Sequence, residues 1–405
     1  MSADTAIGGA PHFPVVDLSN PAVWQNLAAV LAGPREEGPI GYTETGVPLV
    51  LRHDLMEAAL KEPRLGQNDL SFLGHPANGF VNTWYGKTMV TKEGAEHARL
   101  RAIVAKAFTA RHMEAMRGLI RDVAETNLLP FLHNGPFDAT EEFSQYLPVK
   151  AVISIFGIPE EELKLFYNLA HDFGLLFSFS AAGNPEIEAR LKKAMDGLDS
   201  YVSDLIQRRR KNPGDDLLSK LTMAADGEDR LSEEELVMMV GTFLYAGVET
   251  TEAMMPILVK LFAQYPDQFD KVRDNPALIP NAVEEAMRFE PNVGVIARVA
   301  KESFEFGGMP LERGQIMLNS VIAANHDPRL WDHPELFNVE RTKAKTISFG
   351  VGVHHCIGAN LARIELQETL RVLTRAKRFE LQNDPQFEPF SNTRQFDSVH
   401  VKAIL

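Results

Sequence analysis

Only one cysteine occurs in the 405 residues, so no intrachain disulfide can form and nothing in the sequence calls for an oxidising compartment. A transmembrane helix needs roughly 20 consecutive apolar residues, and no stretch of the chain approaches that. The opening MSADTAIGGAPHFPVVDL has neither a positively charged start nor an apolar segment of signal-peptide length, so the protein is expected to be soluble and cytoplasmic. Net charge is −14, and the one compact basic run is Arg208-Arg209-Arg210-Lys211, at the end of a helical pattern. That scarcity of concentrated positive charge speaks against nucleic acid as a primary partner, while leaving a local basic patch open for an acidic protein. Linkers, internal repeats and low-complexity runs are also missing. The length that could hold two or three domains is therefore read as one, over residues 1–405.

What is present suits a large core: 45% of residues are hydrophobic and 24% charged. β-branched residues and alternation predict strands within residues 40–51, and a second mixed stretch covers 295–321, with turn chemistry at Gly307-Gly308 and Arg313-Gly314. Helical periodicity dominates elsewhere, at 95–107, 111–127, 160–173, 187–210 and 280–289. The fold class expected is mainly α with small β-sheets. The longest helical pattern starts at a capping box, Ser232 with Glu235, and runs to about Gln264. Pro256 inside it predicts a bend, and AGVETT at 246–251 brings a glycine and two threonines that weaken regular helix. A long buried helix that is weakest near its middle predicts a site there.

The lone cysteine stands in SFGVGVHHCIGANLARIE, residues 348–365. Gly350, Gly352 and Gly358 let the backbone take positive φ and lie flat against a large planar ligand. The periodicity after Cys356 puts its sulfur at a helix N-terminus, where negative charge is favoured. A small buried thiol in a glycine turn is the plain alternative. Zinc suits the residues less well, because His354 and His355 cannot easily join the adjacent Cys356 around one tetrahedral ion. A single thiolate fits a metal that brings most of its own ligands, as haem iron does.

Residues 349–363, FGVGVHHCIGANLAR, resemble the haem loop of the cytochrome P450 superfamily, F-G-x-G-x-H-x-C-x-G-x-x-L-A-R, with every fixed position filled. Glu285-Ala286-Met287-Arg288 matches the superfamily's Glu-x-x-Arg helix pair. The same tetrapeptide at 114–117 reads as a solvated helix face. Order in the chain selects the later copy, because 323–341, AANHDPRLWDHPELFNVER, resembles the segment whose arginine, here Arg341, completes a structural Glu285–Arg288–Arg341 cluster. Two residues depart from that pattern, His326 for arginine and Asn338 for aspartate. HARLR at 97–101 resembles E-H-x-x-L-R, which implies propionate binding by His97 and Arg101, joined by Arg298 and His354. Phe349, Gly350 and Gly358 complete the implied haem-contact set, with Cys356 as the iron ligand.

AGVETT is similar to A-G-x-D/E-T-T, which implies Glu249 and Thr250 as an acid–alcohol pair that brings protons to dioxygen. The resemblance implies a triangular helical prism with haem b between the long Ser232 helix and the Cys356 loop. It also implies a monooxygenase that hydroxylates or O-dealkylates a small or medium hydrophobic molecule, such as a terpenoid, fatty acid or aromatic. Electrons would come from a ferredoxin and ferredoxin reductase of the soluble bacterial type. The resemblance implies substrate contacts in four regions: 68–86 with Phe72, 172–183 with Phe173 and Phe177, the strand beginning at 292–296 with Val293, Val295 and Ile296, and a late turn near Phe396. Two rivals remain: a peroxide-driven peroxygenase, disfavoured by the retained Glu249–Thr250 pair, and a haem-binding protein without turnover.

Overall fold

The apolar periodicity that begins at Ser232 folds as two helices rather than one. The computed structural model of the protein describes residues 13–67, 79–105, 108–177, 184–226, 231–342, 346–389 and 391–405. Among these, the site is framed by helices Phe80–Tyr85 (α1), Gly94–Ala105 (α2), Arg117–His133 (α3), Tyr146–Ile155 (α4), Leu163–Gly174 (α5) and Pro185–Lys211 (α6). Glu233–Ala246 (α7), Glu249–Gln264 (α8), Ile279–Phe289 (α9) and Ala359–Leu373 (α10) complete the frame. The capping box of α7 is formed: the Ser232 hydroxyl accepts from the Glu235 N–H at 3.1 Å, and the Glu235 carboxylate accepts from the Ser232 N–H at 2.8 Å.

The interruption falls at Gly247 and Val248, and Pro256, where a bend was expected, lies inside the continuous α8. Two contacts account for the position of the break. A Cβ on Gly247 would come within 2.9 Å of Val152 Cγ2 on α4, so only glycine allows this approach. The Thr250 hydroxyl donates to the Ala246 carbonyl at 3.0 Å, taking the acceptor that its own backbone N–H would use in a regular helix. Beyond their polar first turns, both halves are buried on nearly all faces, as the apolar runs 236–245 and 253–262, interrupted at Lys260, dictate, and they belong to the main helical core.

The sheets lie beside that helical mass. Strands Val15–Val16 (β1), Ile40–Thr43 (β2), Pro48–Val50 (β3), Leu65–Gly66 (β4), Phe137–Asp138 (β5), Val295–Ala300 (β6), Phe304–Phe306 (β7), Met309–Leu311 (β8), Ile316–Ser320 (β9), Arg378–Leu381 (β10) and His400–Ile404 (β11) form three sheets. The largest has the order β1-β2-β3-β9-β6-β4, with β1–β2 and β3–β9 parallel and the other pairs antiparallel. Its β6–β9 ladder pairs Arg298 with Met317 and Val295 with Ser320, which fixes the side chains of β6 relative to the cavity. The β7–β8 hairpin turns through Gly307 and Gly308, both at positive φ, as the sequence predicted.

The basic run at the end of α6 is not a free patch. Arg208 pairs with Glu162 at 2.6 Å, Arg209 with Asp216 at 2.9 Å and Arg210 with Glu233 at 2.8 Å. The early tetrapeptide also departs from expectation, because Arg117 reaches past Glu114 to the fully buried Glu368 of α10 at 2.7 Å and to Gln367 at 2.9 Å. No helix among the described residues is long and apolar enough to cross a membrane.

Candidate active site

Glycine, backbone hydrogen bonding and a helix start combine to present the one sulfur. Gly350 and Gly352 have φ of 63° and 79°, and a Cβ on Gly352 would lie 2.9 Å from the Leu60 carbonyl oxygen. Gly358, expected at positive φ, has φ −80°; its place is close to the sulfur, since a Cβ there would lie 3.9 Å from Cys356 Sγ. The Cys356 N–H donates to the Phe349 carbonyl at 3.0 Å, closing the loop just before α10. Phe349 is held in turn by the Arg363 guanidinium, 4.5 Å from its ring centre. Cys356 is exposed along the cavity wall but deep within the protein, and burial pushes its thiol pKa up. The Gly358 and Ala359 N–H groups and the Arg101 and Arg363 charges act in the opposite sense, toward the thiolate.

The loop opens on a cavity of about 420 Å³ with largely apolar walls, within the ordinary range for bound organic molecules. His97, Arg101, Arg298 and His354 line it from α2, β6 and the loop. The His97 and His354 rings lie 4.0 Å apart, Arg101 donates to the His355 carbonyl at 2.5 Å, and Arg298 donates to Gln67 at 3.3 Å. Burial lowers the pKa of His354 to about 3, and the charges of His97, Arg298 and Arg101 push it the same way. Burial likewise lowers that of Arg298 to about 10. His354 Nε2 is buried with no hydrogen-bond partner among the described residues, and the Glu93 carboxylate stays 3.7 Å from it. A ligand with acidic substituents would relieve the crowding of positive charge and give the orphaned nitrogen a partner. The donor set therefore fits haem, whose propionates are such substituents.

Thr250 and Thr251 also line the cavity, just after the break between α7 and α8. Glu249 is half-buried and does not line the cavity. Burial raises its pKa to about 8, the Thr393 hydroxyl opposes that rise, and the Glu252 carboxylate adds to it. Glu252, one turn on, is raised to about 7 by burial, against the Tyr167 hydroxyl, which donates to it at 3.5 Å. A third carboxylate, Glu365 of α10, accepts from the Thr251 hydroxyl at 3.1 Å and is raised to about 8 by burial; its other oxygen has no partner among the described residues.

The expected substrate residues divide. Val293, Val295 and Ile296 line the cavity. Phe173 does not: it is fully buried between Trp84 of α1, at 4.9 Å, and Tyr245 of α7, at 4.4 Å, and belongs to the core. Phe396 is also core, stacked on Phe387 at 4.0 Å, and its turn contributes Asn392 to the cavity instead. Phe177 ends a short turn at Leu175–Phe177, with its side chain outside the described residues, as is the whole of Phe72. Tyr85 and Asn292 line the cavity from within the stretches 68–86 and 292–296, where contacts were expected, although neither residue was singled out. Sequence reasoning missed Met89, Phe243, Asn392 and Glu365 as cavity residues.

The expected Glu285–Arg288–Arg341 cluster is assembled. Arg288, fully buried, grips Glu285 with two bonds of 2.8 Å and donates to the carbonyls of Asn325, Pro334 and Leu336. Arg341 Nε meets both Glu285 oxygens at 3.1 Å. Asn325 carries the order onward, donating to the Ser348 hydroxyl at 2.9 Å and accepting from the Ile347 N–H at 3.0 Å, at the entry to the cysteine loop. Of the two departures, His326 is buried against Phe289 with its pKa lowered to about 3 by burial, while the Asn338 N–H donates to Glu285 at 3.0 Å. Both are accommodated in the scaffold.

A mostly helical fold, one thiol on an apolar cavity and a gathering of nitrogen donors define a protein that holds a large planar, acid-bearing metal ligand. The cytochrome P450 family profile matches residues 154–402, and the chain belongs to that family. It is 31% identical to the 6-deoxyerythronolide B hydroxylase of Saccharopolyspora erythraea over 86% of this chain and 87% of that protein. Identity is 32% to the polyketide biosynthesis cytochrome P450 PksS of Bacillus subtilis, over 84% and 85% of the two chains. Among solved structures, P450BioI in complex with acyl carrier protein ligated to hexadec-9Z-enoic acid superposes with a TM-score of 0.86 at 26% identity, covering 94% of this chain and 100% of that one. The protein is accordingly a cytochrome P450 monooxygenase with haem as its cofactor.

Proposed function

We propose that residues 1–405 act as one haem domain that oxygenates a medium-sized, mainly apolar organic molecule by hydroxylation or O-dealkylation, with electrons from a ferredoxin and its reductase in the cytoplasm. The observation that carries the reading is that Cys356 and Thr250 line one cavity. Cys356 would hold the haem iron through its sulfur, with the Gly358 and Ala359 amides and the Arg101 and Arg363 charges favouring the thiolate. His97, Arg101, Arg298 and His354 hold the two propionates. Haem, when bound, supplies the iron at which dioxygen is reduced and one oxygen atom is passed to the substrate.

The remaining work belongs to the chain. Thr250, at the cavity wall, hands on protons, and Glu249, with a pKa of about 8, and Glu252, with a pKa of about 7 and so about half protonated at neutral pH, replenish it. Val293, Val295 and Ile296 supply apolar contact and exclude water. The names of the hydroxylase and polyketide relatives support an organic substrate of this kind.

A reduced, CO-treated sample should show the thiolate-type Soret band, and Cys356→Ala should lose it. With a ferredoxin system and a substrate found by difference spectroscopy, Thr250→Ala should keep haem but release its reducing equivalents as hydrogen peroxide. Should Thr250→Ala couple oxygen to product as well as the unaltered protein, the relay is misassigned.

A further inference from the structure

The loop at 291–296 and the turn at 391–396 are zipped together beside the break in the central helix. Val293 pairs with Thr393 in an antiparallel bridge, the Gly294 N–H donates to the Asn392 carbonyl at 3.0 Å, and the Arg394 N–H donates to the Asn292 carbonyl at 2.6 Å. Asn292 and Asn392 are thus diagonal neighbours across the bridge, and both residues line the cavity.

The orientation of each carboxamide is fixed by a partner that has only one role. Asn292 faces the Thr250 carbonyl at 2.8 Å; a carbonyl can only accept, so the Asn292 Nδ2 is directed there. Asn392 faces the Val295 N–H at 3.2 Å; an N–H can only donate, so Asn392 Oδ1 is directed there. What remains is an acceptor, Asn292 Oδ1, and a donor, Asn392 Nδ2. Neither has a partner among the described residues, and neither is sealed away as a buried orphan. A wall of valine and isoleucine that keeps one free acceptor and one free donor on diagonal positions of a single bridge is matched by a group that both donates and accepts.

We infer that Asn292 and Asn392 form a hydroxyl-recognition pair, so that the substrate is an apolar skeleton already carrying an alcohol, which Asn292 accepts from and Asn392 donates to. The inference rests on the monooxygenase reading above and narrows its substrate class. Because Asn292 is bonded to Thr250 and Thr393 adjoins Glu249, the pair anchors the substrate next to the acid and the alcohol. A class of reaction that first installs or reduces an oxygen on the same skeleton must therefore supply the substrate.

Calorimetric titration of the holoenzyme with menthol, menthone and p-menthane, and with the same three functional states on a cyclododecane ring, tests the inference. In at least one set the alcohol should bind most tightly and the hydrocarbon most weakly, by about tenfold or more, because an unmatched polar pair disfavours the hydrocarbon. Asn392→Asp keeps an oxygen for the Val295 N–H but removes the donor, and should weaken ketone binding while leaving the hydrocarbon unchanged. Asn292→Leu should erase the margin of alcohol over ketone. Melting temperatures and CO spectra are recorded on every sample. The inference is overturned if neither set shows an alcohol preference, binding by no compound included, if ketone binding is unaffected by Asn392→Asp, or if the margin of alcohol over ketone survives Asn292→Leu. Loss of the thiolate-type band in the unaltered protein would instead overturn the haem-thiolate reading itself.

Discussion

Carboxylates are buried in two regions of this molecule under opposite rules. Near the cysteine loop, Glu285 meets two guanidinium groups, and every oxygen has a nitrogen within 3.1 Å. Beside the helix break, Glu249 and Glu252 of α8 and Glu365 of α10 have hydroxyls as their side-chain hydrogen-bond partners among the described residues, those of Thr393, Tyr167 and Thr251. A guanidinium fixes a carboxylate in its charged form and locks geometry, whereas a hydroxyl does neither when water is excluded. The first arrangement builds a rigid seat for the sulfur. The second keeps protons stored at neutral pH close to Thr250.

Removing a guanidinium from the first region should produce the largest effect. Arg288→Ala leaves Glu285 buried with Arg341 as its only cation and strips three carbonyls of their donor. A loss of about 3–5 kcal/mol in urea unfolding is expected, together with poor haem retention, because the order that Asn325 passes to Ile347 and Ser348 fails with it. A loss below about 1 kcal/mol would show that the cluster does not hold the loop.

The second region is broken more gently, through pH. Glu365 has a folded pKa of about 8, raised above the roughly 4.3 of an unfolded glutamate. Between those values the folded state binds more protons than the unfolded state, so the contribution of Glu365 to stability is full below about pH 4 and falls as pH rises toward 8. His97 and His354, whose folded values are lowered, act with the opposite sign, so the useful quantity is a difference between proteins. From pH 5.5 to 8 the unaltered protein should lose more than about 1 kcal/mol relative to Glu365→Gln. Parallel stability profiles for the two proteins would mean that Glu365 is already ionised in the fold.

The contrast also explains what the sequence disclosed and what it withheld. The seat of the sulfur was legible because its chemistry is local: glycines at 350 and 352, the cysteine and the following helix lie within one short stretch, and Glu285 with Arg288 lies on one helix face. A bend was expected at Pro256, which lies within the continuous α8, while the break falls at Gly247, in the stretch 246–251 that was read as weak helix. Its cause is tertiary, an approach of Val152 that only Gly247 permits. Phe173 and Phe396 were assigned to the pocket because an aromatic residue reads alike whether it faces core or cavity, and only packing against Trp84, Tyr245 and Phe387 decides. Glu365 and Asn392 became visible when remote segments converged on the helix break, separated from Thr251 and Val295 by 114 and 97 residues.

A third setting, at the surface, separates pairing from burial. Arg210 and Glu233 form two hydrogen bonds of 2.8 and 3.0 Å, geometry as good as that of Arg288 with Glu285, but Glu233 is 53% exposed. Water competes for both groups there, so the pair contributes little beyond the favourable placement of a cation at the end of α6. Arg210→Ala should lower stability by less than about 1 kcal/mol, and added salt should shrink the difference further. A loss approaching that of Arg288→Ala would mean that bidentate geometry, rather than exclusion of water, sets the strength of these pairs, and the contrast between the two buried regions would then need another cause.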